Sequence, residues 1–257
     1  MKSIVFWCEF PYKTDFGAIN QIDFPCEIYF ACRNISEFLK WKAKVRNEKI
    51  KCGAWPVLSI QEGYWFSGYS SCECIDKLKE FSGIDIKIDI EPPIFRGKLT
   101  FWRELKYFSQ LIFSGKNNLY LQSAIKEMER KGKVIASTFP FPDFVLKRFG
   151  GDIECRHKNM FVYRSVFSFP INKILDVYYN LFVRKELNRG ITHFAIGCFG
   201  HGIFGNELIF DSVDDLKQEI KFMSEKGVEN LVIFELSWIS NQKNFEEWSE
   251  EIGRFLM

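Results

Sequence analysis

The sequence predicts a single (β/α)8 barrel spanning residues 1–257, and three observations carry that prediction. Eight short β-rich apolar runs alternate with stretches of helical period. Eight units in 257 residues average about 32 residues each, close to the ~30 of a strand–helix repeat. No Gly/Pro/Ser-rich linker divides the chain, and barrels of about 250 residues are commonly one domain. The competing architecture, an open doubly wound sheet, usually carries G-x-G-x-x-G after its first strand. The segment "FWCEFPYKTDFG" has no such turn.

The eight strands read as 3–10, 26–32, 52–59, 84–91, 133–139, 159–167, 192–199 and 230–238. Between them, Asn34 with Glu37 and Ser212 with Asp215 are spaced as helix-capping pairs, a cap followed by an acid three residues on. The segment "ISEFLKWKAKVRNE" places Phe38, Leu39, Trp41 and Val45 near helical spacing, and Ile171, Ile174, Leu175, Tyr178, Leu181 and Phe182 form a longer stripe. The first connection, "YKTDFGAINQIDFP", is too short for a regular helix and reads as a loop. The fourth is long enough for two helices, 100–114 and 118–131. Gly227 is placed to stop the helix that starts after Ser212, and the last helix is "NFEEWSEEIGRFLM".

Composition narrows the function. The chain is 47% hydrophobic and 26% charged with a net charge of +2. There is no concentrated basic stripe of the kind that tracks nucleic-acid phosphates. The opening "MKSIVFWCEFPYK" is broken by Glu9 and Pro11 before it reaches the apolar run of a secretory signal. No stretch approaches the ~18–20 apolar residues of a membrane span. The expectation is a soluble, cytoplasmic protein without nucleic-acid or membrane partners, its eight cysteines reduced. Cys72-Glu-Cys74 does not have zinc-ligand spacing, and His157, His193 and His201 are the only histidines. No metal or cofactor is expected.

Barrel chemistry sits at the C-terminal ends of the strands. On the fourth strand, "GIDIKIDIEPP", alternation turns Ile84, Ile86, Ile88 and Ile90 to the helices and Asp85, Lys87, Asp89 and Glu91 to the lumen. Ionised groups there need partners, so Lys87 and Arg164 are expected to balance the acids. Asp85 and Lys87, deepest, read as a buried ion network, and Glu91, at the exit, reads as chemistry. Glu9 in "VFWCEFP" and Glu235 in "LVIFELSW" are acids in apolar runs at other strand ends. The sequence offers Glu9, Trp65, Tyr163, Arg164, His201, Asn206 and Trp238 as ligand contacts. Two or three carboxylates at one mouth are what glycoside hydrolysis requires, one as a protonated acid and one as an anion.

At this fourth strand the chain resembles the chitinase-like family-18 glycoside hydrolases. Gly83, Asp85, Asp89 and Glu91 follow the family's acidic strand-4 pattern. Met160 and Tyr163 match part of its sixth-strand element, and Trp238 its strand-8 Trp. Ser82, Lys87 and Arg164 depart from it. The resemblance implies Glu91 as the acid/base and Asp89 as its partner.

The expected function is therefore a carbohydrate-active, hydrolase-like barrel enzyme, with Glu91, Glu235 and Asp89 catalytic and a small-molecule or saccharide ligand. Other chemistries remain open at this stage. Lys87 could form a Schiff base in a lyase, Glu91, His201 and Glu235 could serve a metal-assisted isomerase, or the barrel could bind a small ligand without catalysis.

Overall fold

Eight parallel strands hydrogen-bond in chain order and close on themselves, β1 against β8. They are β1 Ser3–Cys8, β2 Cys26–Cys32, β3 Ile50–Pro56, β4 Ile86–Asp89, β5 Val134–Thr138, β6 His157–Val162, β7 His193–Ile196 and β8 Asn230–Phe234. The computed structural model describes residues 2–94, 109–165, 171–205 and 207–256, with the backbone alone for 171–176. The helices within them are α1 Phe16–Ile19, α2 Ile35–Lys42, α3 Cys72–Asp76, α4 Asn118–Glu129, α5 Asp143–Phe149, α6 Ile171–Asn188, α7 Val213–Ser224, α8 Leu236–Ile239 and α9 Phe245–Arg254. This is the (β/α)8 barrel that the alternation of apolar runs predicts. No helix among the described residues is long and apolar enough to cross a membrane, and all eight cysteines are free.

Two expectations about elements change. The first connection contains a one-turn helix, α1, because the Asp15 carboxylate accepts from Gly17 N at 2.8 Å and Ala18 N at 3.2 Å. The eighth apolar run is not all strand. It ends at Phe234, and Glu235 caps α8 by accepting from Ser237 N at 3.1 Å. Both capping pairs form, with Glu37 N donating to Asn34 at 2.9 Å and Asp215 N to Ser212 at 3.1 Å. Gly227 takes φ +83°, the left-handed geometry of a helix stop. Most of the expected helix 100–114 lies outside the described residues.

Contacts divide the chain into two units, Met1–Phe30 with Lys40–Cys52 and Met160–Met257, and Ala31–Leu39 with Gly53–Asn159. In the first unit, Ile4, Phe6 and Cys8 of β1 join Met160, Val162, Phe194, Ile196, Leu231 and Ile233 in one apolar core with Phe182, Ile220, Met223 and Trp248 from the helices. Each such buried side chain contributes about 1.5–3 kcal/mol of transfer free energy. The intervening residues face the other way, as where Trp7 meets Phe161 edge-on at 5.5 Å.

In the second unit the chain after β3 is shaped to lengthen β4. Ser59 and Glu62 form a reciprocal capping box, and Lys77 Nζ lies 2.5 Å from Glu62, whose pKa is held down at about 2 chiefly by that lysine. Gly63 at φ +103° and Tyr64 at φ +67° then reverse the chain in the left-handed region, where a bulky residue is unusual. Phe66 consequently bridges Ile90 in parallel. Phe66 N donates to Asp89 O at 3.2 Å, and Glu91 N donates to Phe66 O at 3.0 Å. On the other side Ile90 N donates to Ser137 O at 2.8 Å. Strand geometry thus continues two residues beyond β4 and fixes the backbone of Glu91.

A Cβ on Gly63 would stand 2.9 Å from Pro93 Cβ. We expect Gly63→Ala to lower stability by about 1–3 kcal/mol, from a strained φ and a crowded contact together. Urea unfolding measures it, and an unchanged midpoint would refute the role given to this turn.

Candidate active site

Strand β4 delivers three consecutive same-side charges. Ile86 and Ile88 are buried on one face, so Lys87 and Asp89 lie on the other, and the extended backbone through Ile90 keeps Glu91 with them. Lys87 has 0% of its surface exposed. Its Nζ donates to Asp89 Oδ2 at 2.5 Å and lies 3.2 Å from the centre of the Trp55 indole ring. The ammonium is therefore held by a carboxylate and by the negative face of an aromatic ring, which together offset its loss of hydration. Burial raises the Asp89 pKa, while the Lys87 charge, its hydrogen bond and Trp55 act in the opposite direction. Glu91, also buried, follows Asp89 at the strand exit. Ser137 of β5 is in register with Asp89 and faces the same way. Trp65 packs edge-on against Tyr64 at 5.8 Å in the loop that extends β4.

A second acidic cluster belongs to the first unit. Glu235 is 1% exposed. Its Oε1 accepts from Glu9 N at 2.7 Å and from Ser237 N at 3.1 Å, and its Oε2 accepts from the Ser237 hydroxyl. The carboxylate thereby joins the end of β1 to the end of β8 while capping α8. Burial raises its pKa against these hydrogen bonds. A Cβ on Gly202 would lie 3.0 Å from Glu207 Oε1 and 3.1 Å from Glu9 Oε2. Glycine there lets two carboxylates converge on one stretch of backbone. Cys198 lies among them, its pKa pushed well up by burial first and then by Glu207, Glu9 and Glu235. Its N–H donates to Ser165 Oγ at 2.6 Å.

The other predicted residues are distributed as follows. Tyr163 stacks on Phe234 at 5.7 Å. His201 is 50% exposed, with Nδ1 4.0 Å from Glu207 Oε2. Asn206 lies outside the described residues. Arg164 does not balance a strand-4 acid. It donates to Glu219 of α7 at 2.7 Å and lies 4.3 Å from the Phe222 ring, on the helix side where Met160 and Val162 also pack. Asp85 is not part of a lumen ladder either, because it precedes β4 and accepts from Lys133 N at 3.0 Å. Trp238 lies on α8, edge-on to Trp248 at 5.7 Å, and packs against the outer core. The sequence offers Trp55 as an aromatic near the end of the third strand and Glu207 in the loop after the seventh, but it does not single out Ser137. The alternation that placed Lys87 could have placed Trp55 and Ser137, but only with the strand registers known. Among the described residues no group of three or more His, Cys, Asp or Glu is arranged to hold a metal.

No protein-family model matches the chain, and no curated protein matches it. Solved structures do. The chain is similar to the PgaB (BpsB) glycoside hydrolase domain from Bordetella bronchiseptica, with a TM-score of 0.61 at 9% identity over 98% of each chain. It is also similar to a xylose isomerase domain protein from Planctomyces limnophilus, with a TM-score of 0.53 at 10% identity, covering 99% of this chain and 96% of that one. At such identities the likeness carries the barrel fold and no further.

Two outcomes test this geometry. Lys87→Met should lower stability by about 3–5 kcal/mol by stranding a buried carboxylate, and adding Asp89→Leu should recover most of the loss. A double-mutant cycle in denaturant measures this, and additive losses would contradict the pairing. For Glu235 the folded pKa is raised, so the folded state binds the extra proton. Its contribution is full below the unfolded carboxylate pKa and is lost as pH rises through the folded one. Relative to Glu235→Gln, the wild type should therefore lose stability with rising pH, by at most ~1.4 kcal/mol per pH unit. Parallel melting curves of the two proteins from acid to neutral pH would rule this out.

Proposed function

We propose that the chain is a carbohydrate-active hydrolase, acting as one barrel domain, with Glu91 as acid/base and Asp89 as its charged partner. The observation that carries this reading is the placement of both acids on one side of the C-terminal end of β4, one locked by Lys87 and the other held by its backbone. That end of a barrel strand is where this fold places its chemistry. Glu91 in its acid form donates a proton to the departing glycosidic oxygen, and as a carboxylate it then takes one from the attacking water. Asp89, held by Lys87, stabilises the positive charge that grows at the sugar carbon. Trp65 and Tyr64 supply the flat apolar faces on which a sugar ring stacks. The similarity in fold to a glycoside hydrolase domain supports the reading at the level of architecture.

Lys87 serves here as the counter-ion of Asp89, because a neighbouring carboxylate favours its charged form and works against the free amine that Schiff-base chemistry needs. Glu235 serves as a positioning residue, since both of its oxygens accept hydrogen bonds that tie the ends of β1 and β8.

The test is hydrolysis of a panel of nitrophenyl glycosides and neutral oligosaccharides. Whichever substrate the wild type cleaves, Glu91→Gln should cleave about 10²–10⁴-fold more slowly with an unchanged melting temperature. Full activity in that variant would refute the assignment.

A further inference from the structure

Ser137 and Asn159 are fully buried polar side chains of the second unit. The Ser137 hydroxyl and both ends of the Asn159 amide have no hydrogen bond within the protein among the described residues. Buried polar groups are nearly always paired, because leaving one bare costs about 1–3 kcal/mol. Both sit on adjacent strands, β5 and β6, of the same ring. Ser137 pairs in register with Asp89 and therefore shares its face. Asn159 alternates with Met160 and Val162, which join the outer core, so its amide faces away from the helices. Level with Ser137, Asp89 accepts from Lys87 through Oδ2, while its Oδ1 has no hydrogen bond among the described residues. The open groups of Ser137 and Asn159 carry no charge.

We infer that Ser137 and Asn159 bind ligand, and that the ligand group they meet is neutral and hydroxyl-rich. A serine hydroxyl and an asparagine amide each donate and accept, as a sugar hydroxyl does, and neither carries a charge to match an ionic group. This rests on the hydrolase reading above and deepens it by naming the residues that recognise the sugar. A residue kept for a ligand and a residue kept for the fold respond oppositely to apolar replacement. Removing a satisfied polar group destabilises the protein, whereas replacing an unsatisfied one with an apolar group of similar shape is neutral or stabilising.

The experiment uses the full chain as Ser137→Ala and Asn159→Leu, with glucose and N-acetylglucosamine as probes. Melting temperature and probe binding by saturation-transfer NMR are the readouts. The expected result is an unchanged or raised melting temperature in both variants, with binding weakened about tenfold for each lost hydrogen bond. A clear fall in melting temperature in either variant would overturn the inference, and so would wild-type affinity in both. Failure of the wild type to bind either probe would overturn it as well. Glu91→Gln serves as the control, since it should keep probe binding. Should it also keep hydrolysis, the catalytic reading falls while the result for Ser137 and Asn159 is unaffected.

Discussion

Closing eight parallel strands into a ring denies water to both faces of the sheet, so each polar side chain on a strand must be satisfied within the protein or by something it binds. Strand β4 meets this constraint with three successive charges on its lumen side. Lys87 has no surface in water, yet it is held between the Asp89 carboxylate and the Trp55 ring. Neither partner alone would suffice. The carboxylate is itself destabilised by burial, and the ring offers only the modest attraction of its quadrupole. Together they make the middle of β4 a fixed electrostatic feature on which the position of Glu91 is built.

The acids at the strand ends are held in different ways. Glu235 accepts two backbone N–H groups and a hydroxyl, and one of those donors is the amide of Glu9, just past the last ladder pair between β1 and β8. Its carboxylate stands in for a missing strand acceptor, so its oxygens are occupied by structure. Asp89 accepts from a charged side chain instead, which keeps the group polar and localised without enclosing it in backbone donors. Unequal environments of this kind are the means by which a fold can give two carboxylates different protonation behaviour.

Much of this was legible in the sequence because the period of two in "IDIKIDIE" is strict. Isoleucine at every second position leaves one assignment of faces, and that places Lys87 and Asp89 together before any coordinates exist. The departures come where a strand stops or a cap takes over. Arg164 comes two residues after β6 ends, on the side of Met160 and Val162, and its partner Glu219 is an acid whose place on α7 no strand pattern reveals. Glu235 looked like an acid set in a strand, when its carboxylate is what ends the strand by capping α8 and carrying Trp238 off toward Trp248. Asp85 obeys the same alternation as its neighbours, but the strand begins one residue after it and its carboxylate goes to Lys133 N. Local composition records periodicity well. It records the partner of a capping or bridging group only when that partner is close in sequence.

The distribution of satisfied and unsatisfied polarity within the second unit carries the functional argument further than any one acid does. A chain selected for stability alone would have placed apolar residues at 137 and 159, since β5 already offers Ile135 at an equivalent lumen-facing position. It has instead placed a hydroxyl and an amide there, and among the described residues they have no hydrogen bond. The same unit satisfies Lys87, which is far more expensive to bury. A fold that can satisfy a buried ammonium is capable of satisfying a buried hydroxyl. The hydroxyl left open in register with Asp89 is a place where stability has been given up, and the proposed ligand role rests on that concession.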